Sequence, residues 1–198
     1  AHLYRKMKTF NTLINETRMF HTIYDGYKTL NPRLQAEIMQ YKREHPESLP
    51  GSNHGCWRGL FKSQYEDQLL HIILSVLNEW SKFYFADRKM DAVIKYWFNV
   101  NDPGSYNMLH HHVMSGAILS GVYYIQAEDT GNFHAGTVNQ WTRQVKPPLP
   151  FHDLLDHTPR DGELLLFPSH LLHDVGPNTS VRHRINMAFN VEFPKETP

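Results

Sequence analysis

Apolar positions in the first ninety residues recur at helical spacing. Leu34, Ile38 and Tyr41 fall on one face. They follow Asn31-Pro32, which predicts a helix start: an N-cap side chain, then proline at the first helical position. Pro46 ends that pattern, and a stretch rich in turn formers runs to Gly59. Ser63-Gln64-Tyr65-Glu66 has the form of a capping box. Behind it Leu69, Leu70, Ile73, Val76, Leu77, Trp80, Phe83 and Tyr84 make a wide apolar stripe with a period of about 3.6. Such a stripe predicts a helix lying on a sheet.

After Asp91 the period changes to two. Tyr96, Phe98 and Val100 share one face, and Trp97, Asn99 and Asn101 share the other. Asp102-Pro103-Gly104 reads as a turn. Further strand-like runs are predicted at Tyr106–His112, Ala117–Gln126, Thr137–Val145, Glu163–Phe167, His173–Val175 and Ile185–Phe193, with turn formers between them. Helices first and short strands after predict an α+β architecture whose strands form a sandwich or barrel. The expected layout is a single domain over 1–198, with 1–90 mainly helical and 91–198 forming the β core.

Charge narrows the function classes. Lys plus Arg and Asp plus Glu both number 20, so no nucleic-acid partner is expected and no membrane surface is favoured. One cysteine, Cys56, excludes an intrachain disulfide framework and fits a reducing compartment; a cytoplasmic location is expected. No apolar run reaches a membrane span, and the charged N-terminal stretch is not expected to be a signal peptide. Oligomeric state is not readable.

Fourteen histidines are many for 198 residues, so position must single out those that matter. On a strand, His110 and His112 share a face and His111 points away. Imidazole pairs suit iron, zinc, copper or nickel, so the pair alone does not choose a metal. His173 follows the hairpin-like Asp161–Val175 segment, well placed to close a site across a barrel. Asp174 faces away from His173 and is not expected to be a ligand. Arg184 heads the last strand, on a face with Asn186, Ala188 and Asn190; Ile185, Met187, Phe189 and Val191 form the other. An inward guanidinium needs a carboxylate, from the protein or from a bound acid. Arg182 competes for that role at the same parity. A zinc hydrolase is a weaker reading, because Val113-Met114 follow where an HxHxDH motif would continue.

The motifs together resemble a known family. Trp97-Phe98-Asn99-Val100-Asn101, Pro103-Gly104, Asn107, His110-x-His112 and Ser120-Gly121-Val122-Tyr123-Tyr124 form one group. Gly162-Glu163-Leu164-Leu165-Leu166-Phe167-Pro168-Ser169, His173-x-Val175 and Arg184-Ile185-Asn186-Met187-Ala188-Phe189-Asn190 form another. They resemble the small 2-oxoglutarate/Fe(II)-dependent oxygenases, distant kin of the prolyl hydroxylases. The resemblance spans roughly residues 50–193 and implies a double-stranded β-helix (a jelly roll, cupin-like) with the N-terminal helices packed outside the sheet. It implies Fe(II) on His110, His112 and His173, 2-oxoglutarate as co-substrate with its distal carboxylate on Arg184, and O2. Asn107, Tyr123 and Asn186 are candidate contacts to the co-substrate or its ligands. One departure stands out: a histidine at 112 where the wider superfamily usually has a carboxylate. The implied reaction is hydroxylation of a small-molecule or peptide substrate with release of succinate and CO2. Two alternatives stay open: a non-catalytic cupin-like metal- or ligand-binding module, and a three-histidine thiol dioxygenase that does not use 2-oxoglutarate.

Overall fold

The structure, a computed structural model, describes residues 17–85, 91–136 and 154–193. The predicted strand Thr137–Val145 lies outside the described residues. In chain order come β1 (Phe20–Ile23), α1 (Tyr27–Glu44), β2 (Asn53–Gly59), α2 (Glu66–Phe85), β3 (Val93–His110), β4 (Leu119–Gln126), β5 (Phe133–Gly136), β6 (Leu154–His157), β7 (Glu163–Pro168), β8 (His173–Val175) and β9 (Arg184–Glu192). The strands pair antiparallel in the order β1-β7-β4-β9-β3-β8-β5-β6, with β2 added to β3.

β3 makes this one curled sheet rather than a flat one. Its first part, Val93–Asn101, pairs with β9, and its last part pairs with β8 through Asn107 and His110. The Asp102-Pro103-Gly104 segment, read as a chain-reversing turn, lies inside the strand. Gly104 takes φ +84°, and the chain bends there without reversing. The two halves of β3 therefore belong to facing parts of the sheet, and a cavity opens between them.

Side-chain parity sorts the sheet's two faces. Phe98, Val100, Tyr123, Leu164, Leu166, Ile185, Met187, Phe189 and Val191 pack with the helices in one apolar cluster. Trp97, Asn99, Val122, Tyr124, Arg184, Asn186, Ala188 and Asn190 face the cavity. Both alternations read from the sequence, on β3 and on β9, hold.

The helices differ from expectation at their starts. α1 begins one turn early, and Asn31 is not its N-cap. Asn31 is buried inside the helix; its Nδ2 donates to the Tyr124 and Ile125 carbonyls, and its Oδ1 accepts from the Tyr123 hydroxyl. A short polar side chain finds stronger use there, tying helix to sheet, than capping a frayed end. The Ser63–Glu66 capping box is likewise only half made. Glu66 turns to Lys62 and Tyr96, while Glu37 of α1 takes the Ser63 hydroxyl and the Gln64 amide. The N-terminal part also supplies two strands that helical periodicity did not reveal, β1 on β7 and β2 on β3. Both are short, and β2 has only Cys56 and Trp57, adjacent to each other, among polar residues and glycines, so neither shows an apolar alternation. Among the described residues no helix is long and apolar enough to cross a membrane.

Gly121 is required by packing. A Cβ there would collide with the Leu165 carbonyl oxygen on β7 and the Phe189 ring on β9. Gly121→Ala is expected to destabilise the fold by about 1–3 kcal/mol through overpacking. Urea unfolding checks this; an unchanged midpoint would contradict the packing described.

Candidate functional site

Three of the candidate residues converge at the open end of the cavity. His110 ends β3, His173 begins β8, and the two are paired in the ladder. His112 lies just past β3, at the head of the short 3-10 turn Val113–Ser115, with its backbone N–H on the Ser169 carbonyl at 2.8 Å. One ring nitrogen from each histidine lies within 4.8 Å of the other two. Their ring centres are 4.2 to 5.2 Å apart. His111 is exposed at the rim and stands outside this group, as strand parity requires.

The donor atoms suit a metal. His110 Nδ1 is 2.7 Å from the Met108 carbonyl, and His173 Nδ1 is 2.7 Å from the Leu171 carbonyl. A carbonyl can only accept, so each ring carries its proton on Nδ1 and keeps the Nε2 lone pair free. Ser52 Oγ, 3.2 Å from His110 Nε2, donates to one of those lone pairs. Burial lowers all three pKa values, His112 to about 4 and His173 to about 3; repulsion from His110 adds to this at His112 and His173, and repulsion from His111 and Arg58 at His110. Neutral imidazoles are the form that binds a metal. Asp174, beside His173, turns away to His134 Nδ1 at 2.6 Å, so it adds no carboxylate to the group.

Arg184 lies in the same cavity, fully buried. Its Nη1 donates to the carbonyls of Thr130 (2.8 Å) and Gly176 (3.4 Å), and its Nη2 to Asn107 Oδ1 (3.4 Å). Its Nε–H is buried with no partner, and among the described residues no carboxylate pairs with it. Burial pushes its pKa down, partly offset by Tyr124 and Cys56. The structural salt bridge left open by the sequence is therefore absent among the described residues. Arg182, the competitor, is exposed and donates to the Glu128 carbonyl.

A directed chain of amides runs from this arginine. Asn107 Oδ1 faces the guanidinium, which has only donors, so Asn107 Nδ2 must point onward, to Asn53 Oδ1 at 2.6 Å. Asn53 Nδ2 then donates to Asn99 Oδ1 at 3.1 Å, and Asn99 Nδ2 to Asn186 Oδ1 at 2.9 Å. The chain ends on Asn186, which presents its own Nδ2 donor to the cavity. Asn107 thus orients Arg184 and gives one of its two N–H donors to Asn53, whereas Asn186, the end of the chain, passes none onward. Tyr123 does not line the cavity: its hydroxyl donates to Asn31 on the helix side. The expectation for Tyr123 is corrected by one residue, because strand parity turns Tyr124 inward instead. Burial raises the Tyr124 pKa, so its hydroxyl stays a donor.

Sequence reasoning did not single out Arg58, Ser52 and Asn53. All three line the cavity and belong to β2 or the residue before it, in the stretch read as a loop. Trp97 lines the cavity under the Arg58 guanidinium. The cavity encloses about 440 Å³, room for a small acid and part of a second molecule.

Residues 95–190 match the family described as "Putative 2OG-Fe(II) oxygenase". No curated protein matches the chain in sequence. A prolyl-4-hydroxylase from Pseudomonas putida is similar in structure, with 16% identity over 89% of this chain and 93% of that one and a TM-score of 0.65. The collagen prolyl hydroxylase vCPH of Paramecium Bursaria Chlorella virus-1, solved with 2OG, is 13% identical over 86% and 94%, with a TM-score of 0.54. The non-heme alpha-ketoglutarate-dependent epimerase SnoN from nogalamycin biosynthesis is 11% identical over 88% and 78%, with a TM-score of 0.61. At these identities the likeness is one of fold: the curled sheet with two outer helices is the double-stranded β-helix of these enzymes.

The lowered histidine pKa values have a thermodynamic consequence. An unfolded histidine titrates near about 6.5, so below that pH the unfolded chain binds protons that folded His112 and His173 refuse. Metal-free protein should lose stability as pH falls from 7 to 5, and His173→Asn should lose less. Urea unfolding at both pH values measures this; the same slope in both proteins would contradict neutral, buried ligands.

Proposed function

We propose that this chain, whose residues 95–190 match the 2OG-Fe(II) oxygenase family, is an Fe(II)- and 2-oxoglutarate-dependent dioxygenase that hydroxylates a small-molecule or peptide substrate. The family's chemistry uses Fe(II), 2-oxoglutarate and O2, and His110, His112 and His173 present a donor set that fits the iron. When bound, iron and co-substrate supply a coupled oxidation in which one oxygen atom enters succinate as CO2 leaves and the other enters a substrate C–H bond.

The protein's own residues do the positioning. His110, His112 and His173 would hold the iron through neutral nitrogens, the three being close enough to share one ion. The Met108 and Leu171 carbonyls fix two of the rings in the binding tautomer. Arg184 grips the distal carboxylate of 2-oxoglutarate. Its buried, unpaired Nε–H in the histidine cavity is the single observation that carries the reading. Asn107 orients that guanidinium, and the Tyr124 hydroxyl and Asn186 Nδ2 are donors for the remaining co-substrate oxygens. Trp97, Phe133, Phe167 and Val175 shield the centre from water.

Hydroxylation is proposed as the outcome, as in the prolyl hydroxylases that share this fold; the epimerase has the same fold with a different outcome, so the fold alone does not carry this step. A three-histidine thiol dioxygenase is the alternative reading; a thiol substrate with a carboxylate would also use a guanidinium, and it is the family match over residues 95–190 that favours 2-oxoglutarate. A single domain over 1–198 and a cytoplasmic location, the latter on the strength of one cysteine, belong to the same proposal.

Removing the charge at 184 tests it. Arg184→Gln should lower 2-oxoglutarate affinity on the order of 100-fold while metal still binds with the same stoichiometry; Arg184→Lys should fall between. Calorimetry and succinate release under O2 are the readouts. Unchanged 2-oxoglutarate affinity in Arg184→Gln would overturn the role given to this residue.

A further inference from the structure

The cavity holds more positive charge than the co-substrate accounts for. Two guanidiniums line it, Arg184 and Arg58, and no aspartate or glutamate does among the described residues. Acids elsewhere in the sheet have their own partners: Asp174 pairs with His134, Asp102 with Lys42 and His183, and Glu163 with His157. The wider superfamily's acidic ligand, which would offset one charge, is replaced by His112. A divalent ion and two guanidiniums thus face a single dianionic co-substrate, and a surplus of positive charge is left over.

Arg58 is built to use that surplus. Its guanidinium stacks on Trp97, with Cζ 4.3 Å from the ring centre, and its Nη1 donates to the Pro50 carbonyl at 2.9 Å. These two contacts hold the group in place, so little freedom remains to be lost when a ligand binds. Its Nε–H is buried without a partner, and among the described residues no hydrogen bond from its Nη2 is formed. The Trp97 ring centre lies 6.2 Å from that of His112, so the stack stands beside the metal ligands. Arg184 is held separately by Thr130, Gly176 and Asn107.

We propose that the oxidised substrate is itself a small acid, whose carboxylate is held by Arg58 on Trp97 while its reacting carbon faces the three histidines. This rests on the oxygenase reading and names the substrate class for that site. The carboxylate supplies the missing anion and bonds the guanidinium edge that the protein leaves free. A phosphate could present similar oxygens, and the test separates the two.

The test is calorimetry on Mn(II)-loaded protein saturated with 2-oxoglutarate. The probes are N-acetyl amino acids with free carboxylates against their carboxamides, and glycerol 3-phosphate against glycerol. At least one carboxylate should bind about tenfold more tightly than its amide. Arg58→Gln should lose that preference and Arg58→Lys should keep part of it, both with wild-type affinity for 2-oxoglutarate. No acid preference in the wild type, a preference that survives Arg58→Gln, or a preference for the phosphate alone would overturn the proposal. So would a loss of 2-oxoglutarate affinity in Arg58→Gln, which would make Arg58 a co-substrate residue. Failure of 2-oxoglutarate to bind wild-type protein at all would instead defeat the oxygenase reading beneath it.

Discussion

A buried guanidinium without a counter-ion is the constraint around which the cavity is organised. Taking Arg184 out of water costs several kcal/mol, on the order of what one buried ion loses, and among the described residues the fold answers with two carbonyls and one amide oxygen. That is too little to satisfy all of its donors, and Nε–H stays unmet. The same charge sets the direction of the asparagine chain. Because Arg184 can only donate, every amide from Asn107 to Asn99 hands its donor onward, and Asn186 ends with an N–H turned to the cavity. A protein surface rich in neutral amides is thereby polarised so that its donors converge where an acid would sit.

The sheet makes this possible by keeping two chemistries apart. β9 sends Ile185, Met187, Phe189 and Val191 to the helices and Arg184, Asn186, Ala188 and Asn190 to the cavity. A shift of one residue in its register with β3 would exchange the two sets, putting a charge in the apolar layer. Asn31 helps hold the arrangement. It ties α1 to the carbonyls and hydroxyl of β4 at the position where Tyr123 and Tyr124 diverge to opposite faces.

Much of this was legible in the sequence where periodicity was strong. The strand parity on β3 and β9, the grouping of His110, His112 and His173, and the placement of Arg184 follow from alternation and spacing, and the structure brings all four residues into one cavity. Tyr123 was misread because a Tyr-Tyr pair gives no alternation to say which ring faces inward. Arg58 was missed because β2 reads as polar chain between turn formers and takes its strand form only by pairing with β3. Asn31 has the signature of a cap, and only tertiary contacts show that it serves the sheet instead.

On the proposed reading, three neutral imidazoles would hold the iron where the resembled superfamily has two and a carboxylate, which makes the centre more positive. The account therefore depends on acids from outside the protein to balance it, 2-oxoglutarate first among them. Anaerobic titration of the wild-type protein with Fe(II) and then 2-oxoglutarate tests this most directly. A weak visible charge-transfer band, absent with Fe(II) alone and absent when succinate replaces the 2-oxo acid, is the predicted result. No band at saturating Fe(II) and 2-oxoglutarate would contradict the account.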